Sequence, residues 1–376
     1  MYICRKKPLK KSAMMKRLLL SSLMGLMMLG AMAQGGEFTL TGKVTGLGPM
    51  VVYIVLDTGG NEDTKIAQVV DGQLDFSHDM KQVGWLMVYS NGRSLMLPAI
   101  PGEAITVSGD IDNYTVDGSD LYKEYNEFLA TALPLVAARS QFDYKQACRD
   151  QAAGKTSEQV FEQYQRLMYE TSRPVADAVQ DFVGKHPDHE SSMLVLNFLD
   201  YAEDLDKARG LISEQVLDGR MNPYFEFPLE RVTKRGASHP LIGNPAPDFN
   251  LLGIDGKELS LGSLRGKWVL LDFWSSTCAN STSQFPALKE LHAKYKDHVE
   301  VLGVDCEDDE ADWKAAVSKY GLPWLNVLGC FDGPDSPVTL YHETATPAYF
   351  LIAPSGKVAM KGELGEFMYL FGILFE

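Results

Sequence analysis

The sequence predicts three parts: a small all-β domain, a middle helical segment, and an α/β domain at the C-terminus. Three observations carry that prediction. Between Phe38 and Val116 short alternating runs are separated by glycine turns, from Asp120 to about Thr233 the apolar spacing is helical, and after Leu241 continuous apolar runs alternate with helical stretches. A chain of 376 residues exceeds what one hydrophobic core usually organises, so more than one domain is expected. At 45% hydrophobic and 23% charged residues, the composition is that of a folded protein and not of a disordered one.

Residues 1–33 read as an export leader. A basic stretch from Arg5 to Arg17 precedes an apolar run from Leu18 to Leu29, and Ala31-Met32-Ala33 then offers small residues to a signal peptidase before Gln34. The run is shorter than the roughly 20 residues that span a bilayer, which favours a cleaved signal over a retained anchor. Met14 or Met15 would serve as the start, since residues 1–13 lengthen the basic region beyond need, and no cysteine follows the run to take a lipid. The expected location is the periplasm or otherwise outside the cytoplasm, with no stable membrane insertion after cleavage. The whole chain carries a net charge of −15. The leader holds seven basic and no acidic residues, so its removal leaves 28 Lys and Arg against 50 Asp and Glu. Such an excess of negative charge argues against nucleic acid and anionic membrane as partners.

The β-rich domain is expected over 34–118. Its strands are read at Phe38 to Val44, Met50 to Leu56, Gln73 to Phe76, Trp85 to Tyr89 and Ala104 to Ser108, broken by turns at Gly59-Gly60, Asp71-Gly72 and Pro101-Gly102. A small sandwich or barrel fits, and no cluster in it has metal or catalytic spacing. The helical segment is expected over 119–240, with Tyr122, Tyr125, Leu129 and Leu133, then Val160, Tyr164 and Leu167, at helical intervals. Pro174, Pro187 and Pro223 mark its expected joints, because proline breaks the helical ladder. His186 and His189 flank Pro187 and read as a solvated helix junction in preference to a metal site.

The α/β domain is expected over 241–376. Asn244-Pro-Ala-Pro-Asp-Phe249 leads into an extended segment, and Gly253 to Gly256 reads as a hairpin turn. Lys267 to Trp274 is an apolar run of the kind buried on both faces of a sheet. A helix from Cys278 to about Tyr295, a strand from Val299 to Asp305, a helix from Glu310 to Tyr320 and a strand from Ala348 to Ile352 follow. This alternation predicts a mainly parallel sheet with helices on both faces. After the leader, Cys148, Cys278, Cys306 and Cys330 remain, too few and too scattered for a disulfide framework. Cys148, in a charged helix, reads as a lone thiol.

Asp272-Phe-Trp-Ser-Ser-Thr-Cys278-Ala-Asn-Ser281, followed by Pro286 and by Thr346-Pro347 before a strand, resembles the thioredoxin pattern in which Asp-Phe-Trp precedes Cys-Gly-Pro-Cys. The Ala-Pro-Asp-Phe entry and Gly266-Lys267 are similar to the exported, TlpA-like branch often grouped with redoxins (AhpC/TSA-type). The resemblance covers about Leu241 onward and implies a thioredoxin fold. The front part is similar to the uncharacterised domain that precedes the thioredoxin domain in many secreted Gram-negative members.

A cysteine in the first turn of a helix has backbone N–H groups and the positive end of the helix dipole aimed at its sulfur, which favours thiolate over thiol. Cys278 is therefore the candidate nucleophile. The resemblance implies that Asp272 is the buried carboxylate that exchanges a proton with a second cysteine. It also implies that Pro347 is the cis-proline facing the active cysteine, and Trp274, Thr277 and Thr346 are candidates to face the substrate. Ser281, however, occupies the place of the resolving cysteine, and a hydroxyl cannot break a mixed disulfide. Thr277 replaces the usual Trp, Ala279-Asn280 replaces Gly-Pro, and Gln284 stands where cytochrome-maturation members carry a glutamate.

Three readings follow. Cys278 can exchange with protein or small-molecule thiols and disulfides and be resolved by an external thiol; Cys306, at the end of the neighbouring strand, can act as a non-adjacent resolving thiol, with Cys330 a weaker candidate; or the domain is a non-catalytic binding or chaperone-like module. A peroxidase is disfavoured, because the Pro and Arg that surround a peroxidatic cysteine are not visible near Cys278. No cofactor-binding or metal-ligating residues are assigned.

Overall fold

Alternation of apolar and polar residues is enough to fold the front of the chain into strands, each with one face covered and the other wet. The computed structural model describes residues 35–57, 62–234, 239–306, 309–329, 333 and 336–376. The leader read in residues 1–33, the Gly59-Gly60 turn and Cys330 lie outside the described residues. Eight strands come first: β1 (Gly36–Thr45), β2 (Met50–Asp57), β3 (Glu62–Gln68), β4 (Gln73–Met80), β5 (Gly84–Ser90), β6 (Arg93–Ala99), β7 (Ala104–Asp110) and β8 (Asn113–Asp117). They form two four-stranded sheets, ordered β4-β1-β7-β8 and β3-β2-β5-β6, and Tyr53 of one stacks on Phe76 of the other at 4.6 Å. This is a sandwich. β3, β6 and β8 are not among the strands read from the sequence; β3 is a polar edge strand paired with β2 alone among the described strands, which is why no alternation marks it.

One position in β1 tolerates nothing but glycine. Gly42 has φ +136°, and a Cβ built on it would lie 1.9 Å from the carbonyl oxygen of Val107 on the paired strand β7. Gly42→Ala is expected to cost at least about 2 kcal/mol of stability, from backbone strain and steric conflict together. A urea-unfolding series checks this, and an unchanged midpoint would show that β1 and β7 separate freely.

The helices that follow are α1 (Asp120–Ser140), α2 (Tyr144–Arg149), α3 (Ser157–Lys185), α4 (Ser191–Val195), α5 (Ala202–Arg209), α6 (Glu214–Leu217) and α7 (Glu226–Lys234). Tyr122, Tyr125 and Leu129 of α1 bury against the sandwich, and one continuous apolar core runs from Phe38 in β1 to Val232 in α7. The front part is thus held by a single shared core. Pro187 and Pro223 fall between α-helices as expected, but Pro174 does not end a helix: it sits inside the 29-residue α3. An internal proline costs about 3 kcal/mol. Val175, Ala176, Val179, Phe182 and Val183, all buried beyond it, together outweigh that cost, since each large apolar side chain contributes roughly 1.5–3 kcal/mol.

The C-terminal part contains β9 (Asn250–Gly253), β10 (Glu258–Ser260), β11 (Trp268–Trp274), α8 (Ala279–Tyr295), β12 (Val299–Asp305), α9 (Glu310–Tyr320), β13 (Leu325–Leu328), α10 (Pro337–Leu340), β14 (Ala348–Ile352), β15 (Val358–Gly362) and α11 (Leu364–Phe375). Its seven strands are ordered β10-β9-β13-β12-β11-β14-β15. Only β11, β12 and β13 run parallel; β14, β15, β9 and β10 pair antiparallel. The sheet is mixed, which corrects the expectation of a mainly parallel one.

The layering is also corrected. Two successive right-handed crossovers in the same direction put α8 and α9 on one face, and α11 joins them there: Phe285, Trp313 and Phe367 share one apolar cluster with Trp268, Leu270 and Trp274. The other face is covered by short α10 and the segment entering the sheet, through Val338, Tyr341, Phe249 and Leu261 packed on Val269, Leu271 and Phe273.

Candidate active site

β11 is buried along its whole length, so its end delivers the chain to the sheet edge with little freedom. There the backbone turns tightly: Cys278 N–H donates to Ser275 O at 3.3 Å, and Thr277 N–H donates to Ser275 Oγ at 3.2 Å. The Ser275 and Thr277 hydroxyls also pair at 2.8 Å. Helix α8 then starts with Cys278 as its N-cap, in extended conformation, and Thr282 N–H donates to the Cys278 carbonyl at 3.1 Å. The sulfur is therefore carried at the positive end of a 17-residue helix. Cys278 is half-buried, whereas Thr277, Ala279 and Asn280 beside it are exposed.

The thiol reaches across 68 residues of sequence to Thr346, donating to its carbonyl oxygen at 3.2 Å. The Thr346–Pro347 peptide bond is cis, and both residues are half-buried. Burial works to raise the Cys278 pKa. Hydrogen bonds from the Ser281 hydroxyl, the Ser281 backbone N–H, the Thr346 side chain and the Asn280 N–H outweigh it and leave the thiol below its ordinary value. The Ser281 hydroxyl is buried and is engaged by no other group among the described residues. It is thus available to donate to a thiolate. A hydroxyl at this position favours the ionised form of Cys278.

Asp272 lies in the middle of β11, 1% exposed, and neither carboxylate oxygen has a hydrogen-bond partner among the described residues. Alternation with Leu270 and Trp274 points it to the face covered by α8. Desolvation pushes its pKa up to about 8, so the carboxyl is protonated at neutral pH. Tyr349, opposite it on β14, is raised as well, first by its own burial and then by the negative charge of Asp272.

The structure separates the remaining candidates. Trp274 does not face the substrate: it is fully buried and packs edge-on against Phe285 of α8 at 5.3 Å. The alternating pattern of β11 places it inside, under the helix that Cys278 starts. Cys306 follows β12 and is anchored beside β11 by its N–H to Trp274 O at 3.0 Å, yet its thiol is buried, donates to Val304 O at 3.3 Å, and belongs to the cluster on the face away from α8. Cys148, expected in a charged helix, is fully buried, and burial raises its pKa. None of Cys148, Cys278 and Cys306 is in a disulfide. Ser275 carries no motif of its own; its position directly after the buried strand, three residues before the cysteine, is the signal that it shapes the turn.

The sequence profile of the AhpC/TSA family matches residues 242–361. The thiol-disulfide oxidoreductase ResA of Bacillus anthracis is 33% identical over 118 residues, 31% of this chain and 66% of that protein. A ResA of Bacillus cereus is 33% identical over 121 residues, 32% of this chain and 68% of that protein. The chain therefore spans about two thirds of the length of these curated relatives. Among solved structures, the thioredoxin domain of a thiol-disulfide oxidoreductase from Bacteroides vulgatus is 29% identical, covering 34% of this chain and 92% of its own, with a TM-score of 0.32. A thiol-disulfide oxidoreductase from Bacteroides fragilis is 30% identical, covering 34% and 99%, with a TM-score of 0.31.

Proposed function

Given that the chain belongs, through residues 242–361, to the thioredoxin-like redoxin family, we propose that it exchanges thiols and disulfides through Cys278 alone. In the first step the Cys278 thiolate attacks one sulfur of a partner disulfide; a mixed disulfide forms and the partner's other sulfur leaves as a thiolate. In the second an external thiolate attacks the mixed disulfide, takes over the partner sulfur and releases the Cys278 thiolate. Each step breaks one S–S bond and makes one, so no further oxidant or reductant is consumed. The substrates are protein or small-molecule disulfides and thiols, and the leader pattern of residues 1–33 supports exchange outside the cytoplasm.

The observation that carries this reading is the accessible sulfur of Cys278 at the start of α8, held below its ordinary pKa by the Ser281 hydroxyl and backbone N–H groups. Pro347 and Thr346 lie across from it and offer backbone to an extended partner segment. Asp272, protonated beneath α8 at neutral pH, moves no proton in either of these steps. Resolution by Cys306 draws no support, since its thiol is buried on the other face of the sheet.

The test is competitive alkylation. At pH 6, Cys278 is expected to react with iodoacetamide at least on the order of ten times faster than Cys148 or Cys306, because the thiolate is the reactive species and both other thiols are buried. Peptide mass mapping after short exposure reads the ratio. Equal or slower labelling at Cys278 would favour a non-catalytic binding module.

A further inference from the structure

The joint between α3 and α4 brings together residues that thiol chemistry does not use. His186 is the C-cap of α3, and hydrogen bonds at both ends fix the turn His186-Pro-Asp-His189 that follows. His186 N–H donates to Phe182 O at 3.0 Å, His189 N–H to His186 O at 3.1 Å, Ser192 Oγ to His186 O at 2.7 Å, and Ser213 N–H to Pro187 O at 2.9 Å. The two imidazoles therefore sit on a rigid support, with ring centroids 5.3 Å apart, and His186 is further held by stacking on Phe182 at 4.5 Å. Facing them from α1 is Glu124. One of its oxygens is 2.7 Å from His189 Nδ1, and the other accepts from Ser191 Oγ at 2.7 Å.

We propose that Glu124, His186 and His189 form a binding site for a divalent transition ion of the zinc class. One donor atom from each residue lies within 4.8 Å of the other two. A tetrahedral zinc ion with bonds of about 2.0–2.1 Å draws its ligands to about 3.3 Å from one another, so rotamer-scale adjustment closes the set. His186 and Glu124 are half-buried and His189 is exposed, which leaves room for that adjustment and an entry path. Two imidazoles and one carboxylate are the donor types that zinc takes in three-ligand sites, with the fourth position open to water or to a donor from a partner. Ser191 supplies the outer hydrogen bond that orients a ligating carboxylate. The cations around this joint are paired elsewhere: Lys123 with Asp120 at 2.9 Å, Lys185 with Asp181 at 2.6 Å and Arg220 with Glu190 at 2.8 Å. A bound ion ties α1 to the α3–α4 joint, two elements far apart in sequence.

Isothermal titration of the full chain with Zn²⁺ alone tests the site, using wild type, the double variant His186→Ala with His189→Ala, and Glu124→Gln. Thiol-bound zinc is common to all three, so only the difference counts. Wild type is expected to bind one equivalent more than the double variant. Glu124→Gln, which keeps the shape and the bond to Ser191, is expected to weaken that equivalent at least about tenfold. Zinc is also expected to raise the unfolding temperature of wild type by a few degrees more than that of Glu124→Gln. Cu²⁺ loaded at the same stoichiometry is expected to show nitrogen hyperfine lines from two imidazoles in wild type. Equal uptake and equal thermal shifts in wild type and Glu124→Gln overturn the proposal, whatever happens to the folding of the double variant.

Discussion

Ser281→Cys is expected to turn a sluggish exchanger into a dithiol reductase, raising the rate of insulin reduction by on the order of 10²-fold or more at millimolar external thiol. The basis is effective concentration. A resolving thiol three residues along the same helix competes with one diffusing from solution, and well-placed intramolecular groups reach effective molarities far above any added reagent. Ser281 is already in the right place: it is buried in the first turn of α8 and hydrogen-bonds to the Cys278 sulfur once that is ionised. A cysteine there attacks the mixed disulfide that Cys278 makes, and the share of Asp272 that is ionised as the pH nears 8 takes its proton. The gain must vanish when Cys278→Ser is added, since a hydroxyl offers no thiolate. Absence of any gain in the single variant would show that the pocket no longer receives a disulfide.

The second large effect is on stability against pH. Wild type is expected to lose stability progressively from about pH 4 to pH 8, and Asp272→Asn to lose most of that dependence. Asp272 has a folded-state pKa of about 8 against 3.8 for the exposed group. Its contribution is complete below the lower value, where both states are protonated, and falls away as pH rises towards the upper one, because unfolding then releases a proton. At 1.36 kcal/mol per unit the loss reaches roughly 4 kcal/mol by pH 7. Urea midpoints at pH 5 and pH 7.5, followed by the fluorescence of Trp268 and Trp274 in the same apolar layer, measure it. Parallel pH profiles for the two chains would mean that Asp272 is ionised and solvated in the folded protein.

What the sequence disclosed and what it concealed follow from the range of the interactions involved. Burial of Asp272 was legible, because six apolar neighbours in an unbroken run leave a strand no wet face. The helix start at Cys278 was legible too, although the sequence places the cysteine in the first turn and the structure makes it the N-cap. The placement of Cys306 was not: being next to β11 in the sheet says nothing about which face a side chain takes. That follows only from continuing the alternation of Leu302 and Val304, which point away from α8. The one-sided packing of α8, α9 and α11 depends on strand order, which periodicity does not encode. Thr346 and Cys278 meet across 68 residues, and only the motif linked them in advance. Glu124 and the two histidines meet across a comparable gap with no motif at all, so their spacing along the chain pointed to nothing more than a solvated joint.

The redox domain is clamped to the part that precedes it. The indole of Trp268, first residue of β11, donates to Ser157 Oγ at 2.8 Å and lies edge-on to Phe161 at 5.7 Å, both at the start of α3. Glu158 in the same turn bonds Ser355. At the far end Lys145 of α2, Lys294 and the Tyr295 hydroxyl all hold the side chain of Glu376. The strand that aims Cys278 is thus fastened at its root to a helix of the other unit. Cys278, at the opposite end of β11, is thereby carried at one bearing to the front part, set at the root of the strand before any exchange takes place.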